Sequence, residues 1–191
     1  LILYHRINLN LIIQNKMANT LKIQIWSDIM CPFCYIGKRR IEGALQNFEH
    51  KDAVEIEWKS FQLDAGFVAS PEDNMVEHLA EKYRKDTDWA QEMLDNMTQN
   101  AKNSGLDFHF EKAVMANSLH AHRLLHLAKK YNLANDLEEL LFKAYLTDGK
   151  NINDLDTLKA LGLEVGLNAE SIDEVFCSHF IEHLTGEQMI R

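Results

Sequence analysis

Between residues 21 and 63 the hydrophobic period of this chain changes twice, and that change limits the folds open to it. Residues 21–26 (LKIQIW) alternate apolar and polar side chains and are β-branched, which is a strand pattern. From Pro32 onward the apolar residues Phe33, Ile36, Ile41, Ala44, Leu45 and Phe48 recur at helical spacing, with Lys38, Arg39, Arg40 and Glu42 between them. Pro32 suits the first turn of that helix, where a missing N–H costs nothing. Residues 54–63 (VEIEWKSFQL) alternate again. A strand, a helix and a strand in so short a stretch form a βαβ unit, with parallel strands and a right-handed crossover. The fold class is therefore α/β.

Beyond Pro71 strand signals nearly vanish. Helices are predicted over residues 75–83, around Trp89, Met93 and Met97 (with Thr87 or Asp88 as cap), and after Ser118. Further helices start at Asn135-Asp136, Asp154 and Asn168. The first capped helix after residue 110 carries Leu124, Leu125 and Ala128 inward, and the next carries Leu137, Leu140, Leu141 and Ala144. Residues 1–16 differ from the rest. His5, Arg6, Asn8 and Asn10 break their apolar stretch, so they do not form an export signal, and Met17 is expected to be the natural start. Alternation over Ile7 to Leu11 is compatible with an extra strand. The expected organisation is an extension (1–20), a βαβ half (21–66) and a helical region (67–191), in a cytoplasmic protein.

Charge and cysteine content exclude several classes. With 20 Lys+Arg against 29 Asp+Glu the net charge is −9, unsuited to binding a phosphate backbone. No apolar run approaches the roughly 18 residues of a membrane span. Three cysteines are too few for a disulfide scaffold.

Two of the three cysteines lie where the period changes. Cys31-Pro32-Phe33-Cys34 follows a strand and opens a helix. Unpaired N–H groups and the macrodipole at a helix N-terminus favour negative charge on the first sulfur. Cys31 is thus expected to ionise below the ordinary thiol value of about 8.5 and to attack disulfides, with Cys34 resolving the mixed disulfide. Half of a zinc site is the alternative, but a second Cys-x-x-Cys is absent and Cys177 is isolated. The pairs His122/His126 and His179/His183 lack the carboxylate of the usual metalloprotease arrangement. No metal is expected. Phe33 cannot donate a hydrogen bond to Cys31, so the thiolate should be less stabilised than in the strongest oxidants.

These residues resemble a known family. Trp26-Ser27-Asp28, Cys31-Pro32-Phe33-Cys34-Tyr35-Ile36-Gly37 and Phe61-Gln62-Leu63 are similar to the DsbA-like thioredoxin superfamily, in particular its FrnE-like branch. Gly105-Leu106-Asp107-Phe108 and Asn117-Ser118-Leu119-His120-Ala121-His122-Arg123-Leu124 resemble the same branch. The resemblance spans residues 21–176. It implies a thioredoxin-like fold with a helical insertion, and thiol–disulfide oxidoreductase or isomerase activity on polypeptide or small-molecule disulfides and thiols. It implies Cys31 and Cys34 as catalytic residues, Pro32 and Phe33 as substrate contacts, and no cofactor beyond glutathione or an external dithiol as reductant. Kappa-class glutathione transferases and 2-hydroxychromene-2-carboxylate isomerases share this architecture but typically carry Ser in place of Cys31. A glutathione-linked enzyme is therefore the second reading, and an inactive helical binding module the third.

Other residues receive plainer expectations. Cys177 is assigned to packing. His120, His122 and His126 are placed on the surface or at caps, with one facing the cleft as the alternative. Arg123 is expected to tie the insertion to the βαβ unit through a carboxylate. Met75, Met93, Met97 and Met115 are core filler, or the wall of an adaptable groove. The departure from the family lies late in the chain. Pro32 and Pro71 are its only prolines, so the family's cis-proline opposite the cysteines has no counterpart, and residues 179–191 show no strand pattern. The fold is thus expected to lack its closing strands and helix. The first strand, central in the family's sheet, would then be left beside an open edge through which copies associate.

Overall fold

The computed structural model describes residues 20–70 and 72–177 with their side chains and the backbone of 189–190. The extension at 1–19, including the candidate strand over Ile7 to Leu11, lies outside the described residues, as do His179 and His183. Strand β1 (Leu21–Ser27) pairs in parallel with β2 (Val54–Phe61), in register from Leu21 opposite Val54 to Ser27 opposite Ser60. Helix α1 (Pro32–Gln46) connects them, followed by a short 3₁₀ turn at Lys51–Ala53. This is the expected βαβ unit.

The sheet order corrects one expectation. A short strand β3 (Met189–Ile190) pairs in parallel with Ser60 and Phe61, so among the described residues β2 is the middle strand and β1 lies at an edge. A stretch expected to contain no strand therefore supplies one, and two residues are too few to show alternation in sequence. β2 also stops at Phe61, short of the expected Leu63, because the Leu63 N–H turns inward to the Asp28 carboxylate at 2.7 Å.

Six further helices follow among the described residues: α2 (Met75–Tyr83), α3 (Thr87–Lys102), α4 (Leu119–Lys130), α5 (Ala134–Leu146), α6 (Leu155–Glu164) and α7 (Ala169–Cys177). Their caps explain where they begin. Asn74 accepts from the N–H groups of Val76 and Glu77, and Asp154 from Thr157 at 2.8 Å. α3 is capped by Asp86, which accepts from Trp89 N–H at 2.8 Å, rather than by Thr87 or Asp88. At α4 the Ser118 hydroxyl makes no cap bond, and Asn117 Oδ1 takes the Leu119 N–H at 2.9 Å. α5 starts one residue before Asn135, without a side-chain cap. Gly162 lets α6 meet α7, since a Cβ there would stand 2.8 Å from Ile172 Cδ1.

The core is largely helical, with Leu124, Leu141, Phe142, Tyr145, Leu158 and Ile172 almost fully buried. Ile29, Tyr35 and Ile36 join the βαβ unit to it. Tyr35 stacks on Phe142 with centroids 4.8 Å apart and donates to Glu139 at 2.5 Å. Arg39 also pairs with Glu139, so α1 and α5 are clamped by both an apolar and a polar contact. Met97 and Met115 are core residues as expected.

One face of α4 lies against the βαβ unit. His122, His126 and Lys129, spaced by four and three residues, meet Asp28, Ser60 and the Trp58 carbonyl at 3.2, 3.1 and 2.5 Å. The assignment of His122 and His126 to surface or caps is thereby corrected. This helical face covers the strand ends, and His122 is only 1% exposed. Arg123 donates to the Val175 carbonyl of α7, so it ties helix to helix, and Cys177 is exposed at the end of α7 rather than packed.

Burial pushes His126 down to about 4, with the positive charge of Lys129 adding to the effect. A histidine held neutral in the fold but free to charge when unfolded loses stability as pH falls from about 6.5 towards 4, at up to about 1.4 kcal/mol per pH unit. Stability of the wild type should fall across that window, and His126→Gln, which keeps a partner for Ser60, should flatten the fall. Urea unfolding at pH 7, 5.5 and 4.5 measures both curves, and equal slopes would refute the assignment.

Candidate active site

The site forms where β1 gives way to α1. Ser27 ends the strand, residues 28–30 turn, and Cys31 occupies the N-cap position of α1 in extended conformation (φ −89°, ψ 109°). Its N–H donates to the Asp28 carbonyl at 3.0 Å, and its own carbonyl accepts from Cys34 at 3.0 Å. Pro32 holds the first helical position, as expected. Cys31 and Cys34 are both free thiols and half-buried. Cys34 packs against the core beside Met30. Phe33 points outward, 62% exposed. It borders a groove of about 360 Å³ whose other wall is α3, with Trp89, Met93 and Met97.

The two sulfurs act as one titrating unit. The hydrogen bond from the Cys31 thiol pushes Cys34 down to about 6, against its burial, with help from the Asp28 N–H and the Ser27 hydroxyl. The same bond, together with burial, pushes Cys31 up, while the N–H groups of Cys34 and Phe33 pull it down. The pair therefore shares one proton: the first is lost below the ordinary thiol range and the second is held. This corrects the expectation that Cys31 alone owns the low ionisation. The helix N-terminus contributes, but the interaction of the two thiols with each other dominates.

Residues with no role assigned from sequence complete the site. Asp28 is 1% exposed, and its carboxylate accepts from Leu63 N–H at 2.7 Å, Met30 N–H at 3.4 Å and His122 Nε2 at 3.2 Å. Burial pushes Asp28 up, but the bond and charge of His122, with Leu63, outweigh it and leave the group below its ordinary value. Gln62 donates to Asn117 at 3.0 Å, and Asn117 donates to the carbonyl of Phe67 at 3.0 Å, so the loop after β2 is held to the start of α4. Between β2 and the helices α4 and α5 a cavity of about 320 Å³ is lined by Ser27, Trp58, Ser60, His122 and Glu138, among others. Burial pushes Glu138 up to about 7, despite Lys38 at 3.8 Å. Ser27, Asp28, Asn117 and His122 all lie in the stretches that carry the family resemblance, so sequence held a signal of their importance but none of their partners. Glu138 gave no signal, because a glutamate on a predicted helix reads as solvated. Among the described residues no three His, Cys, Asp or Glu side chains converge to hold a metal.

Comparison with known proteins places this geometry. Residues 22–189 match the DSBA-like thioredoxin domain family. YwbO of Bacillus subtilis (strain 168) is 31% identical over 157 residues, covering 80% of this chain and 70% of that protein. The crystal structure of a probable DsbA oxidoreductase from Streptomyces coelicolor superposes with a TM-score of 0.79 at 32% identity, over 87% of this chain and 73% of that one. The cytosolic disulfide reductase DsbM from Pseudomonas aeruginosa, solved with glutathione, shares the fold at a TM-score of 0.57 and 17% identity, over 88% and 77% of the two chains.

A shared proton has a measurable signature. Thiolate absorbance at 240 nm in the reduced protein should rise through pH 6, and in Cys31→Ala it should shift to near the ordinary thiol value of about 8.5. At pH 6.5 that is a loss of at least about tenfold in thiolate. An unchanged titration in Cys31→Ala would show that the sulfurs do not share a proton.

Proposed function

We propose, from the premise that this chain belongs to the DSBA-like thioredoxin domain family, that it is a thiol–disulfide oxidoreductase working through Cys31 and Cys34. The observation that carries this reading is the pair of free, half-buried thiols at the N-terminus of α1, Cys31 at the N-cap and Cys34 in the first turn. A thiolate at neutral pH is the species that attacks a disulfide. Cys34 is packed inward and Cys31 stands at the open end of the helix, so Cys31 takes the role of nucleophile and Cys34 that of resolving thiol.

The exchange runs in two steps. With the pair's shared proton transferred to Cys34, the Cys31 thiolate attacks one sulfur of a substrate disulfide, forming a mixed disulfide and releasing the other sulfur as a thiolate. Cys34 loses its proton and attacks Cys31 Sγ, closing the Cys31–Cys34 disulfide and releasing the second substrate thiolate. The protein is oxidised by two electrons and the substrate reduced by two. Glutathione or an external dithiol restores the pair, and the reverse sequence oxidises a dithiol. No resident cofactor is needed. The exposed Phe33 and the groove towards Trp89 and Met93 favour disulfides carried on polypeptides, with small disulfides also accepted. Pro32 and Phe33 lie where such a substrate must pass. A cytoplasmic location is part of this reading. No described helix is long and apolar enough to cross a membrane.

Insulin reduction by a dithiol should be accelerated by the wild type and fall to background in Cys31→Ser. Cys34→Ser should instead accumulate a mixed disulfide through Cys31, visible by mass spectrometry. Conjugation of an electrophile to glutathione should not be catalysed. Robust conjugation that survives Cys31→Ser, with no insulin reduction by the wild type, would replace this reading with a glutathione-linked transferase.

A further inference from the structure

His122 spans from the helical region to the turn that holds the cysteines. Its Nε2 lies 3.2 Å from Asp28 Oδ1, and both side chains are 1% exposed. Its other nitrogen, Nδ1, is buried and makes no hydrogen bond among the described residues. A histidine kept only to fill space would be satisfied at both nitrogens or replaced by an apolar residue; here the ring is held by Asp28 alone. Asp28 in turn is one short turn from both cysteines. Its carbonyl accepts from Cys31 N–H at 3.0 Å. The charge of its carboxylate opposes a thiolate on Cys34, whereas its N–H favours one. The carboxylate's remaining donors, Leu63 and Met30, are backbone groups, with the Ser118 hydroxyl also facing it. His122 is thus the side chain best placed to govern how much negative charge Cys34 meets.

We propose that His122, delivered by α4, is a positioning residue that sets the redox potential of the Cys31–Cys34 pair by holding the Asp28 carboxylate and taking up part of its charge. The inference rests on that pair being the redox centre. Withdrawing the histidine leaves a buried carboxylate short of a donor and more negative towards the sulfur. The thiolate is then less stable, and the equilibrium moves from dithiol to disulfide. Other charged groups face the same space: Lys38 from α1, Glu57 and Lys59 from β2, His126 and Lys129 from α4, Glu138 and Tyr145 from α5. All stay in place in the variants below, so differences report on the Asp28–His122 tie.

The test measures two quantities, the 240 nm thiolate titration of the reduced protein and the equilibrium with glutathione. His122→Leu should move the equilibrium about tenfold towards the disulfide, equivalent to a potential about 30 mV more negative, with the titration moving up. His122→Gln, whose amide nitrogen reaches the place of Nε2, should stay within about twofold of wild type. Asp28→Asn should shift both readings the opposite way, and adding His122→Leu to it should change nothing further. Gln behaving like Leu, or His122→Leu having the same effect with and without Asp28, would reduce His122 to a packing residue. Should His122→Leu fail to fold, the Asp28→Asn and His122→Gln results decide, and an unchanged titration in Asp28→Asn overturns the proposal. The titration needs no exchange activity. A wild type that never forms the disulfide with glutathione would strike the oxidoreductase reading, while the titration would still decide the role of His122.

Discussion

A carboxylate withdrawn from water persists in a fold only where donors replace its hydration. Asp28 gathers its donors from three stretches of chain distant in sequence: Met30 in the cysteine turn, Leu63 just past β2, and His122 on α4. Each donor brings its own segment with it. The turn is thereby fixed at the end of β1, the chain after β2 is bent inward, and α4 is set against the strands. Take away this carboxylate and the elements of the site lose their common point. The aligned contacts of His126 with Ser60 and Lys129 with the Trp58 carbonyl extend the same seam along β2.

A second buried polar group secures the other side of α1. Lys38 is 1% exposed, and its Nζ meets Glu42 at 2.8 Å, Asn135 at 2.5 Å and Glu138 at 3.8 Å. Burying an ammonium is costly unless its partners are well placed, and removing one partner is more damaging than never having the set. Here the partners come from α1 itself and from α5, so the cost is offset only when the two helices dock. Tyr35, stacked on Phe142 and bonded to Glu139, supplies the apolar half of the same contact. The cysteine helix is thus held on one side through Asp28 and His122, and on the other through Lys38 and Tyr35. A reactive pair so placed keeps its geometry while its outer rim, Phe33, stays exposed to incoming substrate.

Much of the fold was legible in sequence because local rules governed it. The alternation at β1 and the start of β2, the proline at the start of α1, and the caps at Asp154 and Asn168 each report on a few consecutive residues, and each stands in the structure. Errors arose where the deciding partner was distant. β2 stops early because of Asp28, Lys38 turns inward because of α5, and His122 is buried because α4 lies on the strands. β3 was invisible because two residues carry no period. Ser118 gave the right place for the start of α4, yet the hydrogen bond there belongs to Asn117.

Sequence by itself determined that a cysteine pair stands between a strand and a helix, within a βαβ unit followed by helices. Hydrophobic period, proline position and the spacing of two residues within one helical turn are all local quantities, and they suffice for that much. Only the tertiary structure decided what surrounds the sulfurs. That the two thiols share a proton, that a carboxylate one turn away opposes the thiolate, and that a histidine 94 positions later restrains that carboxylate are matters of distance and burial. Electrostatic effects of this kind depend on separations of a few ångströms in a dry interior. Such separations are set when helices pack on strands, and no one-dimensional pattern records them.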